Sequence, residues 1–222
     1  MAAVPRSTWR DALSVSLTVG LYGAAFGAAS VAAGFSVWQT CLLSLLTFTG
    51  ASQFAAVGVV AAGGGALTAV ATAGLLSSRN ALYGLQMTPH LGVKGWRRAL
   101  AAQWTIDEST NVGLAQLPLG PDAVRAGFWL TGAGVYFFWN VFTLAGALGA
   151  KSIGNPAAWG LDAAVPAAFL GLLWPRLRDR FTQLVALAAM AFSLLATPVL
   201  PSGTAIIATV IVAIFAGWRD RS

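Results

Sequence analysis

Charged residues are scarce in this 222-residue chain: they make up 9% of it, whereas hydrophobic residues make up 57%. A soluble domain carries about 25% charged residues. The chain therefore has too little polar surface to cover a folded globule of its size in water. Its mean hydropathy of +0.73, its 25 glycines and its 9 tryptophans are typical of helices packed in lipid. We expect an integral membrane protein.

Cysteine and histidine are almost absent. Cys41, the single cysteine, cannot form an internal disulfide, and together with His90, the single histidine, it cannot build a metal site. Enzyme motifs are also missing: there is no G-x-S-x-G, and residues 146–152 depart from a phosphate-binding loop at Ala150. We expect no catalytic residue, no metal and no cofactor.

The net charge of +6 does not indicate nucleic-acid binding. The basic residues lie in small clusters at the edges of apolar runs, which is the pattern of the positive-inside rule. Counting the apolar runs places three of these clusters on one side of a membrane and predicts a cytoplasmic N-terminus. The three clusters are Arg6 with Arg10, Arg176 with Arg178 and Arg180, and Arg219 with Arg221.

The apolar runs predict an all-α fold, a polytopic transmembrane helical bundle of about six to eight spans in one domain over residues 1–222. Turn signals separate the runs, which cover 12–33, 38–62, 66–88, 99–118, 124–148, 157–174, 182–200 and 203–218. On the first run, Gly23 and Gly27 form a G-x-x-x-G face that allows another helix to approach closely, or that lines a narrow substrate path.

One basic cluster conflicts with eight simple spans, because Lys94, Arg97 and Arg98 would then face outward. The run 99–118 also carries Asp107 and Glu108 at its middle, which is unfavourable in lipid. Both conflicts disappear if 99–118 does not span and one piece of 38–88 is re-entrant, which leaves about six spans plus broken segments. The sequence does not choose between the two models.

Two polar segments lie inside apolar runs. In the first, Gly50 weakens the helix while Ser52 and Gln53 offer hydrogen-bonding groups at membrane depth. This segment is either a broken helix that binds a small zwitterion or a polar contact between helices. In the second, Arg79 and Tyr83 share a helix face. Arg79 is suited to hold a substrate carboxylate or to pair with an internal acid, and the alternative is that it snorkels towards the membrane surface.

Two acidic positions are also informative. Asp107 and Glu108 are adjacent carboxylates, and away from water one of them could take and release a proton near neutral pH. In a solvated loop both would stay ionised. Asp162 precedes Pro166 by four residues, which puts a carboxylate and a free carbonyl at one point. Alternatively, Asp162 lies in the first turn of a helix, where negative charge is favoured.

Taken in order, these segments resemble the AzlC family, the large subunits of bacterial branched-chain amino acid exporters. The resemblance covers nearly the whole chain and is carried by residues 50–54, Arg79-Asn80 with Tyr83, residues 107–109 and residues 160–162. It implies a multi-pass permease of the bacterial inner membrane that works with a small hydrophobic AzlD-like subunit. Members export valine, leucine, isoleucine and sometimes methionine, driven by the proton gradient.

The sequence and the resemblance together predict a transporter site. The substrate-binding residues are expected to be Ser52, Gln53, Arg79, Asn80 and Tyr83. The proton-coupling residues are expected to be Asp107, Glu108 and Asp162. Small Gly and Ala surfaces are expected to accept the aliphatic side chain. A channel, a non-transporting assembly subunit and a membrane enzyme are the competing interpretations.

Overall fold

Every regular element of the computed structural model is helical within the described residues, which are 4–152, 167, 170–171, 173–174, 177–201 and 204–219. The expectation of an all-α fold is confirmed for this part of the chain. The helices are α1 (Arg6–Ala32), α2 (Val37–Thr47), α3 (Ala51–Ala61), α4 (Ala66–Leu91), α5 (Trp96–Gln103), α6 (Asp107–Ala115), the 3-10 turn Leu117–Leu119, α7 (Pro121–Ser152), α8 (Arg180–Ala196), α9 (Thr204–Ala208) and α10 (Val210–Arg219).

Helices α1 and α7 are the two long apolar elements of the described structure. They contain 27 and 32 residues, and both are long and apolar enough to cross a membrane. At about 1.5 Å per residue, each exceeds the roughly 30 Å of a bilayer core. Their composition agrees with a membrane protein, whereas the total number of spans stays a prediction.

Helices α1 and α7 pack in parallel along a seam of small residues. The Ser16 hydroxyl donates to the carbonyl of Thr131 at 3.4 Å, and further along both helices Gly27 meets Thr143 and Ala147. A Cβ at Gly27 would lie 2.7 Å from the backbone nitrogen of Ala147 and would overlap the carbonyl oxygen of Thr143. The glycine therefore allows the two backbones to touch, which is the packing interpretation of the G-x-x-x-G face.

Helix α2 runs from the C-terminal end of α1 towards the middle of α7. Near its start, the hydroxyls of Thr40 and Ser30 are 2.8 Å apart. Near its end, the carbonyl of Leu45 accepts a hydrogen bond of 3.3 Å from the hydroxyl of Tyr136, halfway along α7. Because α7 ends beside the end of α1, α2 is antiparallel to α7 and stops at its middle.

Helix α3 returns in the direction from which α2 came. A short turn at residues 62–65 joins α3 to α4, and the two helices pack side by side. The far end of α4 lies at the start of α7, where Met87 packs in one cluster with Val124 and Phe128. Helix α4 is therefore antiparallel to α7, and α3 is antiparallel to α4. Together α2 and α3 form a hairpin with its tip at residues 48–50.

Helices α5 and α6 form a second hairpin that enters from the opposite end. Ala101 of α5 packs in the cluster at the start of α7, whereas Trp104 lies against Gly132, nearer the middle of α7. Helix α6 then returns, because a Cβ at Gly113 would lie 3.4 Å from the carbonyl oxygen of Val124. The predicted run 99–118 thus does not form one span, and its break lies at residues 104–106.

The two hairpin tips have matching backbone chemistry. The Gly50 N–H donates to Oε1 of Gln53 at 3.2 Å, and the Ile106 N–H donates to Oγ of Ser109 at 3.1 Å. In both tips the third residue of the returning helix therefore caps the residue that precedes the helix. Gly50 has a φ of 58°, a left-handed conformation that favours glycine. The predicted weak point at Gly50 is the place where the apolar run breaks.

Aromatic rings pack around both tips. The ring of Tyr136 lies 4.9 Å from that of Phe48 and 6.1 Å from that of Trp104, measured between centroids. Behind the first tip, Phe26 and Phe54 pack edge to face at 5.5 Å. These rings belong to the apolar core between α1, α3 and α7. The core therefore fixes the depth at which both hairpins end.

Candidate functional site

A cavity of about 580 Å³ lies where the two hairpin tips meet α1, α4 and α7. This volume is in the usual range for small-molecule sites. Much of its wall is apolar, and the large apolar side chains in it are Val19, Phe48, Phe54, Leu76, Ile106, Val135, Trp139 and Leu173. Its charged and amide side chains are Arg79, Asn80, Asp107 and Glu108. The remaining lining residues are Tyr22, Thr49, Gly50, Ala51 and Gly171.

An ion pair joins α4 to the tip of the second hairpin at this cavity. Nη1 of Arg79 lies 2.8 Å from Oδ2 of Asp107. The side chain of Arg79 is 31% exposed and that of Asp107 is 19% exposed, so solvent screens the pair only in part. Of the roles considered for Arg79, pairing with an internal acid is the one present in this structure.

Four of the predicted site residues converge on the cavity from two separate segments. Arg79 and Asn80 come from the middle of α4, and Asp107 with Glu108 forms the first turn of α6. Negative charge in the first turn of a helix is favoured by the helix dipole. Both segments were expected from the sequence to contribute to the site, and the fold brings them to one wall.

Two helices begin at the cavity. Ala51 starts α3 and Asp107 starts α6, and both residues line the wall. The first N–H groups of a helix have no intrahelical acceptor, and this end of the helix dipole is positive. The start of α3 therefore favours a negatively charged group, such as a carboxylate, inside the cavity, whereas the start of α6 already carries the carboxylates of Asp107 and Glu108.

Ser52 and Gln53 are placed behind the tip of the first hairpin rather than on the cavity wall. They are 3% and 1% exposed. The Gln53 amide donates to the carbonyl of Leu43 at 3.0 Å, and the hydroxyl of Ser52 is hydrogen-bonded to that of Thr49. In this structure both side chains hold the shape of the tip. Their predicted contact with substrate stays a prediction.

Tyr83 and Asp162 complete the predicted set. Tyr83 is half-buried on α4, one turn after Arg79, and is not among the residues that line the cavity. Asp162 lies outside the described residues, as does Pro166. The wall of the cavity therefore does not include Tyr83, and the predicted role of Asp162 stays a prediction.

The large apolar side chains of the wall were not predicted from the sequence. We expected Gly and Ala to accept an aliphatic side chain, yet the wall contains rings such as those of Phe54 and Trp139, whose centroids are 6.3 Å apart. Trp139 is 4% exposed and also stacks on Phe26 at 6.1 Å. No local signal separates these residues from other aromatics, because 11% of the chain is aromatic.

Acidic, histidine and cysteine side chains do not gather elsewhere in the described structure. Within residues 4–152 and the described parts of the C-terminal region, no group of three or more of these residues could hold a metal ion. In the cavity, charged side chains of both signs meet an apolar wall.

Comparison with known families identifies the chain. A family model described as AzlC protein matches residues 14–153. The chain belongs to the AzlC family. The match covers both hairpins and the four charged and amide residues of the cavity wall, so the resemblance seen in the sequence is confirmed. Comparison with curated proteins and with solved structures yields no significant match.

Membership in the AzlC family indicates the general function of the chain. The family is associated with transport of branched-chain amino acids, and it is a transport family rather than an enzyme family. Together with the apolar helices α1 and α7, this membership indicates a membrane protein.

Proposed function

We propose that this AzlC-family chain exports branched-chain amino acids across the bacterial inner membrane in exchange for protons. In this proposal it is the large subunit of a complex with a small hydrophobic AzlD-like subunit. The observation that carries the proposal is the Arg79–Asp107 ion pair on the wall of a cavity that is otherwise rich in large apolar side chains. Such a site suits a molecule with two charged groups and an aliphatic side chain.

The charges of the cavity match those of a zwitterion. The substrate carboxylate binds the guanidinium of Arg79, and the substrate ammonium binds Asp107 or Glu108. Before substrate enters, Arg79 and Asp107 neutralise each other. A zwitterion that inserts between them replaces one ion pair with two, so neither charge is left uncompensated in the apolar interior.

Proton exchange follows from competition for the same carboxylates. A proton bound to Asp107 or Glu108 removes the negative charge that attracts the ammonium group. Proton binding therefore weakens substrate binding, and substrate binding disfavours protonation. This mutual exclusion is what an exchanger requires, because the site then carries either substrate or proton in each direction.

The two hairpins support alternating access. They enter from opposite ends of the α1–α7 pair, and their tips meet at the cavity. Transporters commonly place substrate at discontinuous helices near the middle of the membrane. Movement of one hairpin would open the cavity to one side, and movement of the other would open it to the opposite side.

The distribution of basic residues supports a cytoplasmic N-terminus. Arg6 lies at the start of α1, Lys94 lies between α4 and α5, and Arg125 at the start of α7 donates to the carbonyl of His90 at 3.1 Å. All of these residues are at the same end of the fold, whereas Lys151 is at the other. The basic cluster that conflicted with eight spans thus joins the N-terminal cluster, as the positive-inside rule favours.

Efflux from proteoliposomes tests the proposal. The chain is reconstituted with its AzlD-like partner, and the vesicles are loaded with radiolabelled leucine. Efflux should accelerate when a proton gradient directed into the vesicles is imposed, and Arg79→Gln or Asp107→Asn should abolish this acceleration. Arg125→Gln is the matched control, because Arg125 is 49% exposed in a surface pair with Asp122.

Each alternative has its own outcome in this assay. Equal efflux with and without the gradient would remove proton coupling and favour a channel. Intact efflux in both site variants would favour a non-transporting assembly role for this chain.

A further inference from the structure

The C-terminal end of α2 is capped by side chains from other elements. The last carbonyls of a helix have no intrahelical donor, and an unpaired carbonyl in apolar surroundings is unfavourable. Here Nε2 of Gln103 lies 3.1 Å from the carbonyl oxygen of Leu45 and 3.3 Å from that of Leu46. Leu45 also accepts from the hydroxyl of Tyr136 at 3.3 Å.

Gln103 connects the two hairpins. It is the last residue of α5, four residues before Asp107 along the chain, whereas its acceptors belong to α2. Neither Gln103 nor its two acceptors line the cavity. One end of this link therefore lies next to the tip of the hairpin that carries Asp107, and the other end belongs to the hairpin that carries Gly50.

We propose that Gln103 is a positioning residue that couples the two hairpin tips, so that a displacement of the α5–α6 tip also displaces the end of α2. The physical reason is that Gln103 cannot move away with α5 without breaking its hydrogen bonds to two carbonyls of α2, of which that of Leu45 would keep the Tyr136 hydroxyl as a donor. For its role in turnover this inference rests on the proposed function. The coupling itself is a property of the empty protein and is measured without substrate.

Hydrogen exchange measures the coupling. Arg79→Gln breaks the ion pair and so loosens α6 directly. In protein that retains Gln103, this change should raise amide exchange about threefold both in residues 107–112 and in residues 40–47. In a Gln103→Leu background, the increase should persist in residues 107–112 and vanish in residues 40–47. Gln86→Leu is the matched control, because Gln86 is exposed on α4, and it should leave both increases intact.

A second variant separates the donor from the bulk of the side chain. Gln103→Lys restores an N–H donor of similar reach, and its positive charge is favoured at the C-terminal end of a helix. It should restore the response of residues 40–47, whereas leucine should not. The coupling role is overturned if Arg79→Gln raises amide exchange in residues 40–47 equally in all backgrounds. It is also overturned if the Gln103→Leu and Gln103→Lys backgrounds give the same result.

Transport kinetics supply the functional readout. Gln103→Leu should lower kcat about tenfold and leave KM within about twofold, because the cavity wall is untouched. Gln103→Lys should recover kcat. A rise in KM that accounts for the whole loss would contradict the positioning role. If the unmodified complex moves no leucine, the proposed function fails, while the exchange experiment still decides the coupling.

Discussion

Arg79 and Asp107 come from different helices, yet their charged atoms lie 2.8 Å apart at the cavity. Arg79 is in the middle of α4, and Asp107 is the first residue of α6. The pair therefore joins a long helix to the tip of a hairpin. This link is partly sheltered from solvent, so its removal should affect both stability and transport.

A double-mutant cycle measures the strength of this pair. Arg79→Gln and Asp107→Asn should each lower the free energy of unfolding by about 1–3 kcal/mol, because each leaves a partly buried charge without its partner. The double variant should lose less than the sum, with a coupling energy of about 1 kcal/mol. Denaturant unfolding of the purified protein in detergent provides the measurement.

The surface pair Arg125–Asp122 is the control for this cycle. Its atoms are 3.4 Å apart, and its side chains are 49% and 52% exposed. A double-mutant cycle with Arg125→Gln and Asp122→Asn should give a coupling energy below about 0.5 kcal/mol. Equal coupling energies for the two pairs would show that partial burial at the cavity does not strengthen the Arg79–Asp107 ion pair.

Cysteine labelling tests the two hairpins and the proposed orientation. In a Cys41→Ser background, single cysteines replace Ser7, Lys94 or Ser152, all of which are exposed. An impermeant maleimide added to intact cells should label only the cysteine at position 152. All three should react after permeabilisation. Labelling of position 94 from outside would contradict the second hairpin, because the end of α4 would then lie opposite the N-terminus.

The α1–α7 seam predicts opposite effects for two glycines. Gly27→Ala should lower the free energy of unfolding by more than about 2 kcal/mol, because the added methyl group meets the backbone of Thr143 and Ala147. Gly149→Ala on α7 has open space at its Cβ and should be neutral or raise stability by up to about 1 kcal/mol. Thermal unfolding of both variants provides the comparison, and similar losses would exclude the close backbone approach.

The breaks in the helices could be predicted from the sequence, but the partners of the polar side chains could not. Gly50 and the acids at 107–108 interrupt apolar runs, and each interruption becomes a hairpin tip. The pairing of Arg79 with Asp107 depends on how α4 is placed against α6, which no local pattern specifies. Gln53 and Gln103 are both amides beside such breaks, and only the fold shows which carbonyls of α2 each one caps.

The start of α8 carries a prediction about pH. The side chain and backbone N–H of Thr182 donate to Asp179, and these hydrogen bonds lower the pKa of Asp179 below its usual 3.8. Because the pKa of Asp179 is lower in the folded state than in the unfolded state, the cap stabilises the folded state at pH values above the unfolded-state pKa. This stabilisation is lost as the pH falls through the folded-state pKa.

The difference in melting temperature between the wild type and Asp179→Ala should therefore be constant from neutral pH to about pH 5 and should shrink in stronger acid. The difference between Asp179→Asn and Asp179→Ala should not change with pH, because the amide oxygen keeps an acceptor without a titrating charge. If the difference in melting temperature between the wild type and Asp179→Ala grew in acid, this role of the carboxylate would be contradicted.

The cavity wall predicts a variant that blocks substrate without unfolding the protein. Val135 is 1% exposed and lines the cavity, so in Val135→Phe the larger side chain should enter the existing space. The free energy of unfolding should fall by about 1–3 kcal/mol, because Val135 also packs in the core between α1, α3 and α7. Leucine affinity of the purified complex, measured by calorimetry, should fall at least about tenfold. Val141 lies on the same helix and is 46% exposed, so the Val141→Phe variant should bind leucine with normal affinity. Unchanged leucine binding in Val135→Phe would place the substrate outside this cavity.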